Sequence, residues 1–370
     1  MKINKVGILG LGYVGFPLAC AIARAGKYEV VGYDPARDKI AKIKKRISPV
    51  QDRQAESDIA EVKIKCSADD KILKGCDVFI ICVPTPIDDE YEPDLAPVIG
   101  AAEICIKYMK KNNAVIIEST INPGVCEEVV LPVLESSGLA GGRDFELAHC
   151  PERINPGDPK WNVYNIPRNI GALTLKGCGE IAGFYRSFID AEVNEMETLK
   201  EAEATKIIEN TFRDINIAYV NELAMSFDAL GINVVNVIKG ASNKPFAFMA
   251  HYPGCGVGGH CIAVDPYYLI KRAKKAGFDH KFLRNARTIN NGMPRYTVEK
   301  LVMGLNRLEM SVKGSKIGLY GLSYKKDVAD MRESPSLKIK SMLENEYEAK
   351  LSVFDPFFIE SSTHGTLDSF

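Results

Sequence analysis

The sequence predicts an α/β protein whose N-terminal part is a doubly wound, largely parallel sheet. Three observations predict it. Apolar strand-like runs alternate with helix-like segments through residue 153. One helical pattern then runs from Lys200 to Leu230 with no Pro or Gly before Gly231. A strand–helix–strand pattern restarts after residue 312. The expected division is residues 1–198, a central helical domain over 199–307 whose long helix serves dimerisation, and the start of a second α/β domain over 312–370.

The elements follow in order. "KVGILG" (5–10) is a buried strand and "LACAIARAG" a helix ending near Gly26. "EVVGYD" (29–34) and "CDVFIICVPTP" (76–86) are strands. A helix runs from about Leu95 to Met109, followed by strands in "AVIIEST" (114–120) and "FELAHCPER" (145–153). Continuous apolar runs of this kind suit strands covered on both faces. Past the long helix, more helix is expected to about residue 307. "SKIGLYGLSY" then reads as a strand, and "SPSLKIKSMLENE" as a helix with Ser334 as N-cap and Pro335 at N1. "KLSVFDP" is a last strand, and the second sheet is expected to stop early, as in a truncated chain.

Composition narrows the function. The net charge is −1, so no global field favours nucleic acid or a membrane surface, while anionic small molecules remain open as ligands. No apolar run is long enough to span a bilayer, and the N-terminus reads as strand and turn rather than as a signal peptide. The ten cysteines are scattered without a C-x-x-C pair, which argues against a zinc ribbon or a disulfide framework and for a reducing cytoplasm. Cys20, Cys82 and Cys105 lie in apolar stretches and read as buried small hydrophobes.

Gly10, Gly12 and Gly15 form G-x-G-x-x-G between a strand and a helix, the context in which that motif binds a dinucleotide in a Rossmann-like domain. Gly10 permits the tight turn, Gly12 the approach of a pyrophosphate to backbone N–H groups, and Gly15 close helix–sheet packing. Asp34 ends the second strand, where a carboxylate hydrogen-bonds a ribose 2′-hydroxyl and repels a 2′-phosphate. NAD is therefore favoured over NADP, with Arg37 near enough to soften the preference.

"GCGVGG" (254–259) spells the same motif but follows a Pro-containing, non-strand segment and opens no long helix inside it. It reads as a loop that presents His260 and Cys261. Cys261 is either a thiol activated by nearby N–H groups and cations or a buried structural thiol; a metal site of His260, Cys261 and Asp265 matches no common zinc spacing.

"GVGGHCIAVDPYYL" resembles the cysteine loop of the UDP-glucose/GDP-mannose dehydrogenase family. The likeness continues in order with "GLGYVGFPLA", "VPTP", "EST", "CPERINPG", "KEAEATKIIEN" and "GLSYKKDVADMRESPS", and so covers essentially the whole chain. Two departures stand out: the early stop, and the absence of a substrate-binding arginine that such enzymes often carry further downstream.

The resemblance implies oxidation of a sugar CH₂OH to a carboxylate with two NAD and one water. An aldehyde has no hydride to give in a second step until a nucleophile adds to it, so Cys261 is implied as that nucleophile. Lys206 is implied to stabilise negative charge on the oxygen at C6, with Asn210 orienting the same group or a water. The two lie four apart on one helical face, where spacing alone would equally give a solvated polar pair. Asp265 is implied to position the lysine or water, and Glu152 to handle water in thioester hydrolysis. Some relatives have a second glutamate where this chain has Pro156. Thr120 is implied near nicotinamide and water. Tyr13, Val14, Pro84, Thr85 and Arg332 complete the implied NAD contacts. Arg153, Gly258, Tyr324 and Lys325 join Glu152, Lys206 and Asn210 as substrate contacts.

"GGHC" in place of "GGSC" is more similar to enzymes of UDP-N-acetylhexosamines, with UDP-N-acetylglucosamine or UDP-N-acetylgalactosamine as expected substrate and UDP-N-acetylmannosamine or UDP-glucose as alternatives. The product would feed surface polysaccharide synthesis. Two rivals are a two-electron hydroxy-acid dehydrogenase, which needs no cysteine, and a non-catalytic nucleotide-sugar sensor.

Overall fold

The computed structural model of the chain describes all residues except 51, 89–92, 154–159, 260, 364–365 and 367–370. It divides into two compact units, Met1–Ile208 and Glu209–Phe370.

The first unit begins with β1 (Lys5–Leu9), α1 (Gly15–Arg24), β2 (Glu29–Tyr33), α2 (Arg37–Lys44), α3 (Arg53–Glu61), β3 (Lys65–Ser67) and β4 (Val78–Ile81). It continues with α4 (Ala96–Ile106), β5 (Asn113–Ile117), α5 (Leu131–Glu135), β6 (Phe145–His149), β7 (Arg168–Ala172), α6 (Leu175–Arg186) and β8 (Val193–Glu195). The strands form one sheet in the order β3-β2-β1-β4-β5-β6-β7-β8. Every pair is parallel except β6 with β7, which places the C-terminal ends of β1, β4, β5 and β6 along one edge. That edge carries the candidate site, as open α/β sheets dictate.

The period of two explains the layering. Val6, Ile8, Val78, Ile80, Ala114 and Ile116 pack into one core with α1 and α6. Leu9, Phe79, Ile81, Val115 and Ile117 pack into another with α4 and α5. Alternate side chains thus meet apolar cover on both faces, which is why the strands read as unbroken apolar runs.

The long helix is α7 (Leu199–Leu230), and the boundary between the units falls within it. The second unit adds α8 (Val234–Ala241), α9 (Asp265–Lys275) and α10 (Lys281–Arg307). A two-stranded parallel sheet follows, β9 (Lys316–Tyr320) with β10 (Lys350–Phe354), joined by the crossover α11 (Pro335–Asn345). Val298 of α10 packs with Ile339, Met342 and Leu343 of α11 beneath this sheet. Inside the bundle, Arg287 of α10 donates to Asp214 of α7 at 2.6 Å, and Asn290 donates to the same oxygen at 2.8 Å. No helix among the described residues is long and apolar enough to cross a membrane.

The structure corrects the sequence reading in two places. β3, β7 and β8 were not expected; β3 and β8 have three residues each, too short to show a period. Ser334 does precede α11, but its hydroxyl makes no capping bond. The Leu337 N–H donates instead to the Ser334 carbonyl at 3.1 Å, and the buried Oγ has no partner among the described residues.

Candidate active site

The glycine turn after β1 is built as its spacing demands. Gly10 has φ +93°, and a Cβ there would lie 2.7 Å from the Cys82 carbonyl oxygen. A Cβ on Gly15 would lie 2.0 Å from the Gly10 carbonyl oxygen. Gly12 differs: nothing lies within 4 Å of its missing Cβ, so the outer side of the turn is open. Val14 precedes α1 without a side-chain cap, and no acidic residue occupies the first turn. The partial positive charge of that helix terminus is therefore left to an anion. Tyr13 is exposed and Val14 half-buried at the same turn.

Asp34 is buried just past β2. One carboxylate oxygen accepts from the Leu11 N–H at 2.9 Å and from Lys39 Nζ at 3.2 Å; the other accepts from the Ala36 N–H at 2.9 Å. The basic side chain paired with Asp34 is thus Lys39, not Arg37, which lines a shallow pocket with Ile40, Lys44 and Asp69. The open face at Gly12 and the fixed carboxylate at Asp34 fit a pyrophosphate and a ribose diol, so these residues suit bound NAD.

The loops after β4 and β5 are tied together. Thr85 donates to the Thr120 carbonyl at 2.8 Å, and Ser119 donates to the Val83 carbonyl at 2.7 Å. Pro84 is exposed, and Thr120 half-buried. From α7, Glu203 reaches the same segment: its carboxylate accepts from the Gly124 N–H at 2.5 Å and from the Cys126 N–H at 2.8 Å. Burial pushes the Glu203 carboxyl up to about 7 against these two donors. Glu203 thereby fixes the loop carrying Thr120 to the helix carrying the half-buried Lys206, one turn on. Sequence reading missed it, although an acidic side chain in the first turns of an apolar helix face was a visible signal.

Glu152 lies just past β6 and is buried. Arg168 of β7, fully buried, donates through Nη1 to Glu152 at 3.2 Å and to Glu118 at 3.4 Å. Tyr185 of α6 donates to the other Glu118 oxygen at 2.5 Å. Glu152 also accepts from the Arg153 N–H at 2.5 Å, and the Arg153 guanidinium donates to the Pro167 carbonyl at 3.0 Å. Glu118, Arg168 and Tyr185 were not predicted. Glu118 stands beside "ST" in the sequence, whereas nothing local marks Arg168 or Tyr185.

In the second unit, Cys261 sits half-buried in the turn that opens α9. Its carbonyl accepts from the Val264 N–H at 3.0 Å and the Asp265 N–H at 2.8 Å. Asp265 is buried and accepts from Asn210 Nδ2 at 2.5 Å. At the start of the loop, the Gly254 N–H donates to Asn221, whose amide donates to Asn290. The glycines here make room for the chain itself. A Cβ on Gly258 would lie 2.7 Å from Tyr324 Cβ and 2.8 Å from the Glu333 carbonyl oxygen. Gly259 has φ +83°, and its N–H donates to the Arg332 carbonyl at 3.0 Å. The segment 324–335 therefore closes over the cysteine loop, bringing Tyr324 and Arg332 to it, while Lys325 is exposed. The Arg332 guanidinium, bound by Asp330, is held above its ordinary value chiefly by that hydrogen bond, with Cys261 adding to it. A cation at this position favours a thiolate in return. His260 and Pro156 lie outside the described residues. Among the described residues, no group of three or more His, Cys, Asp or Glu side chains is placed to hold a metal.

Comparison with known proteins points to one family. Residues 4–189 match the NAD binding domain of the UDP-glucose/GDP-mannose dehydrogenase family, 200–292 its central domain and 318–368 its UDP binding domain. A UDP-N-acetyl-D-glucosamine 6-dehydrogenase of Pseudomonas aeruginosa is 41% identical over 362 residues, covering 96% of this chain and 84% of that one. A UDP-N-acetyl-D-mannosamine dehydrogenase of Pyrococcus horikoshii is 37% identical over 98% of this chain and 86% of its own length. The solved structure of the UDP-D-ManNAc dehydrogenase from Pyrococcus horikoshii superposes with a TM-score of 0.92 at 36% identity, covering 99% of this chain and 86% of that one. With the dinucleotide turn, the cysteine loop and all three domain matches in place, the chain belongs to the UDP-glucose/GDP-mannose dehydrogenase family and is an NAD-dependent nucleotide-sugar dehydrogenase.

Proposed function

We propose that the chain oxidises the C6 hydroxymethyl group of a UDP-N-acetylhexosamine, UDP-N-acetylglucosamine or UDP-N-acetylgalactosamine, to the uronate in a four-electron reaction at Cys261. The observation that carries this reading is the setting of that thiol. Every cysteine of the first unit is buried, whereas Cys261 is half-buried, at the mouth of a helix and beside a guanidinium. NAD, held by the Gly10–Gly15 turn and Asp34, would supply the hydride acceptor for each oxidation. Between the two transfers, the Cys261 thiolate adds to the aldehyde carbon, forming a C–S bond and turning the carbonyl oxygen into an alkoxide that can expel the C–H hydrogen as hydride. Loss of that hydride leaves a thioester, and water cleaves its C–S bond to give the carboxylate and free thiol. Lys206 offsets negative charge on the C6 oxygen. Asn210, held by Asp265, orients that oxygen, and Glu152 takes a proton from the attacking water. Residues 1–198 bind the cofactor, 199–307 carry the nucleophile, and 312–370 contribute Tyr324, Lys325 and Arg332.

UDP-N-acetylmannosamine is the second reading, favoured by the likeness to enzymes of that name. The test is kcat/KM on four UDP-sugars. The N-acetylglucosamine or N-acetylgalactosamine substrate is expected to lead by roughly tenfold or more, equal to about 1.4 kcal/mol. UDP-glucose turning over faster than all three N-acetylhexosamines contradicts the reading.

The protein is also proposed to be a homodimer through its long helix. Ile208, Phe212 and Tyr219 share one exposed face of α7, and Val235, Val237, Phe246, Phe248 and Met249 add exposed apolar surface. Such a patch on one chain suits burial against a second copy. Light scattering is expected to give twice the chain mass; a monomer at micromolar concentration rejects the dimer.

A further inference from the structure

Behind Glu152 lies a set of buried groups that the mechanism above does not use. We infer that Arg168, Glu118 and Tyr185 are positioning residues that hold Glu152 and set how much of its charge is neutralised during thioester hydrolysis, an inference that rests on the Cys261 reading. One guanidinium nitrogen, Arg168 Nη1, bonds both Glu118 and Glu152, so the two carboxylates lie a few ångströms apart around a single positive charge. All three side chains are buried, and the solvent screening that would let two anions coexist is absent. The Glu152 N–H donates to the Glu118 carbonyl at 3.3 Å, so the backbone fixes the same pairing.

Two charge states follow. With Glu118 protonated, Arg168 neutralises Glu152 alone. With Glu118 ionised, the guanidinium is shared between two carboxylates and offsets less of the charge on Glu152, the group that takes the proton of water. Burial pushes the Glu118 carboxyl up to about 7, opposed by Arg168 and by the Tyr185 hydroxyl, so the exchange falls near neutral pH. Among the described residues, the Cys82 and Cys150 thiols also face this cluster, and burial holds both well above their ordinary value and therefore protonated throughout. In the hydrolytic step, water adds to the thioester carbon and gives one proton to Glu152. The C–S bond then breaks, the thiolate of Cys261 leaves, and the second proton departs as the new carboxylic acid ionises. No oxidant or reductant is consumed.

The experiment is a single turnover of the enzyme with NAD and UDP-N-acetylglucosamine across pH 5.5–9. Intact-mass spectrometry of quenched samples follows growth and decay of the Cys261 adduct. In the unaltered protein, adduct decay is expected to rise through an inflection near pH 7. In Glu118→Gln the decay rate is expected to stay at its low-pH value, at least threefold slow at pH 8.5 and near parity at pH 6. The first hydride transfer should be unchanged. Tyr185→Phe removes a donor to the ionised carboxylate and is expected to move the inflection to higher pH. A structural role alone would slow both half-reactions at every pH, and that result, or unchanged profiles in both variants, overturns the inference. Absence of any adduct in the unaltered protein overturns the Cys261 reading first and this inference with it.

Discussion

Cys261→Ala is expected to lower uronate formation by roughly a thousandfold or more, the scale on which removing a covalent nucleophile acts. The variant should fold normally, because Cys261 is only half-buried and its backbone carbonyl, which Ala keeps, accepts two hydrogen bonds in the turn that opens α9. Intact mass should show no covalent adduct with UDP-sugar and NAD, and UDP-sugar affinity should survive. Cys255, six residues earlier and exposed, serves as the control thiol. Cys255→Ala is expected to retain nearly full activity. Full activity in Cys261→Ala would remove the thioester from the mechanism and restore the simple two-electron dehydrogenase as the better account.

Gly15→Ala is the second large expected effect, on stability and cofactor together. The added methyl would sit 2.0 Å from the Gly10 carbonyl oxygen and 2.9 Å from Cys82 Cβ, one of them backbone and neither able to yield cheaply. Either α1 shifts away from β1 or the turn reshapes. Overpacking of this kind costs about 1–3 kcal/mol. The melting temperature should fall by several degrees, at about 2–4 °C per kcal/mol for a unit of this size. NAD affinity should fall by roughly tenfold or more, because the same shift moves the N–H groups that face the pyrophosphate. Gly12→Ala makes the contrast: its methyl meets no protein atom, so it should leave the melting temperature alone and weaken NAD binding only. Unchanged melting and unchanged affinity in Gly15→Ala would contradict the packing described for the turn.

The sequence made the first strand–turn–helix legible because three independent signals coincide there: an apolar run, the glycine spacing, and Asp34 at the end of the next strand. The long helix was legible from its length without Pro or Gly. The antiparallel step at β7 was not, because "RNIGA" is short and its pairing with β6 is set by tertiary placement rather than by any local pattern.

The candidate site divides in the same way. Gly10, Gly15 and Cys261 announce themselves by spacing or by an unusual neighbourhood. Gly258 and Gly259 are visible as part of a second glycine cluster, but nothing local shows that the space beside them is filled by Tyr324 and the Glu333 backbone, some seventy residues away in the chain. Arg168 and Tyr185 were invisible, since a single charged residue at the start of a strand and a tyrosine in a helix are ordinary. Only folding brings them to Glu118 and Glu152.

The account rests on a four-electron oxidation through one sulfur. The most direct test counts the NADH formed for each UDP-N-acetylhexosamine consumed to completion by the purified protein. Two NADH per sugar, with the uronate as sole product, is the predicted result. One NADH per sugar, with an aldehyde or ketone as product, would contradict it and leave Cys261 without a catalytic task.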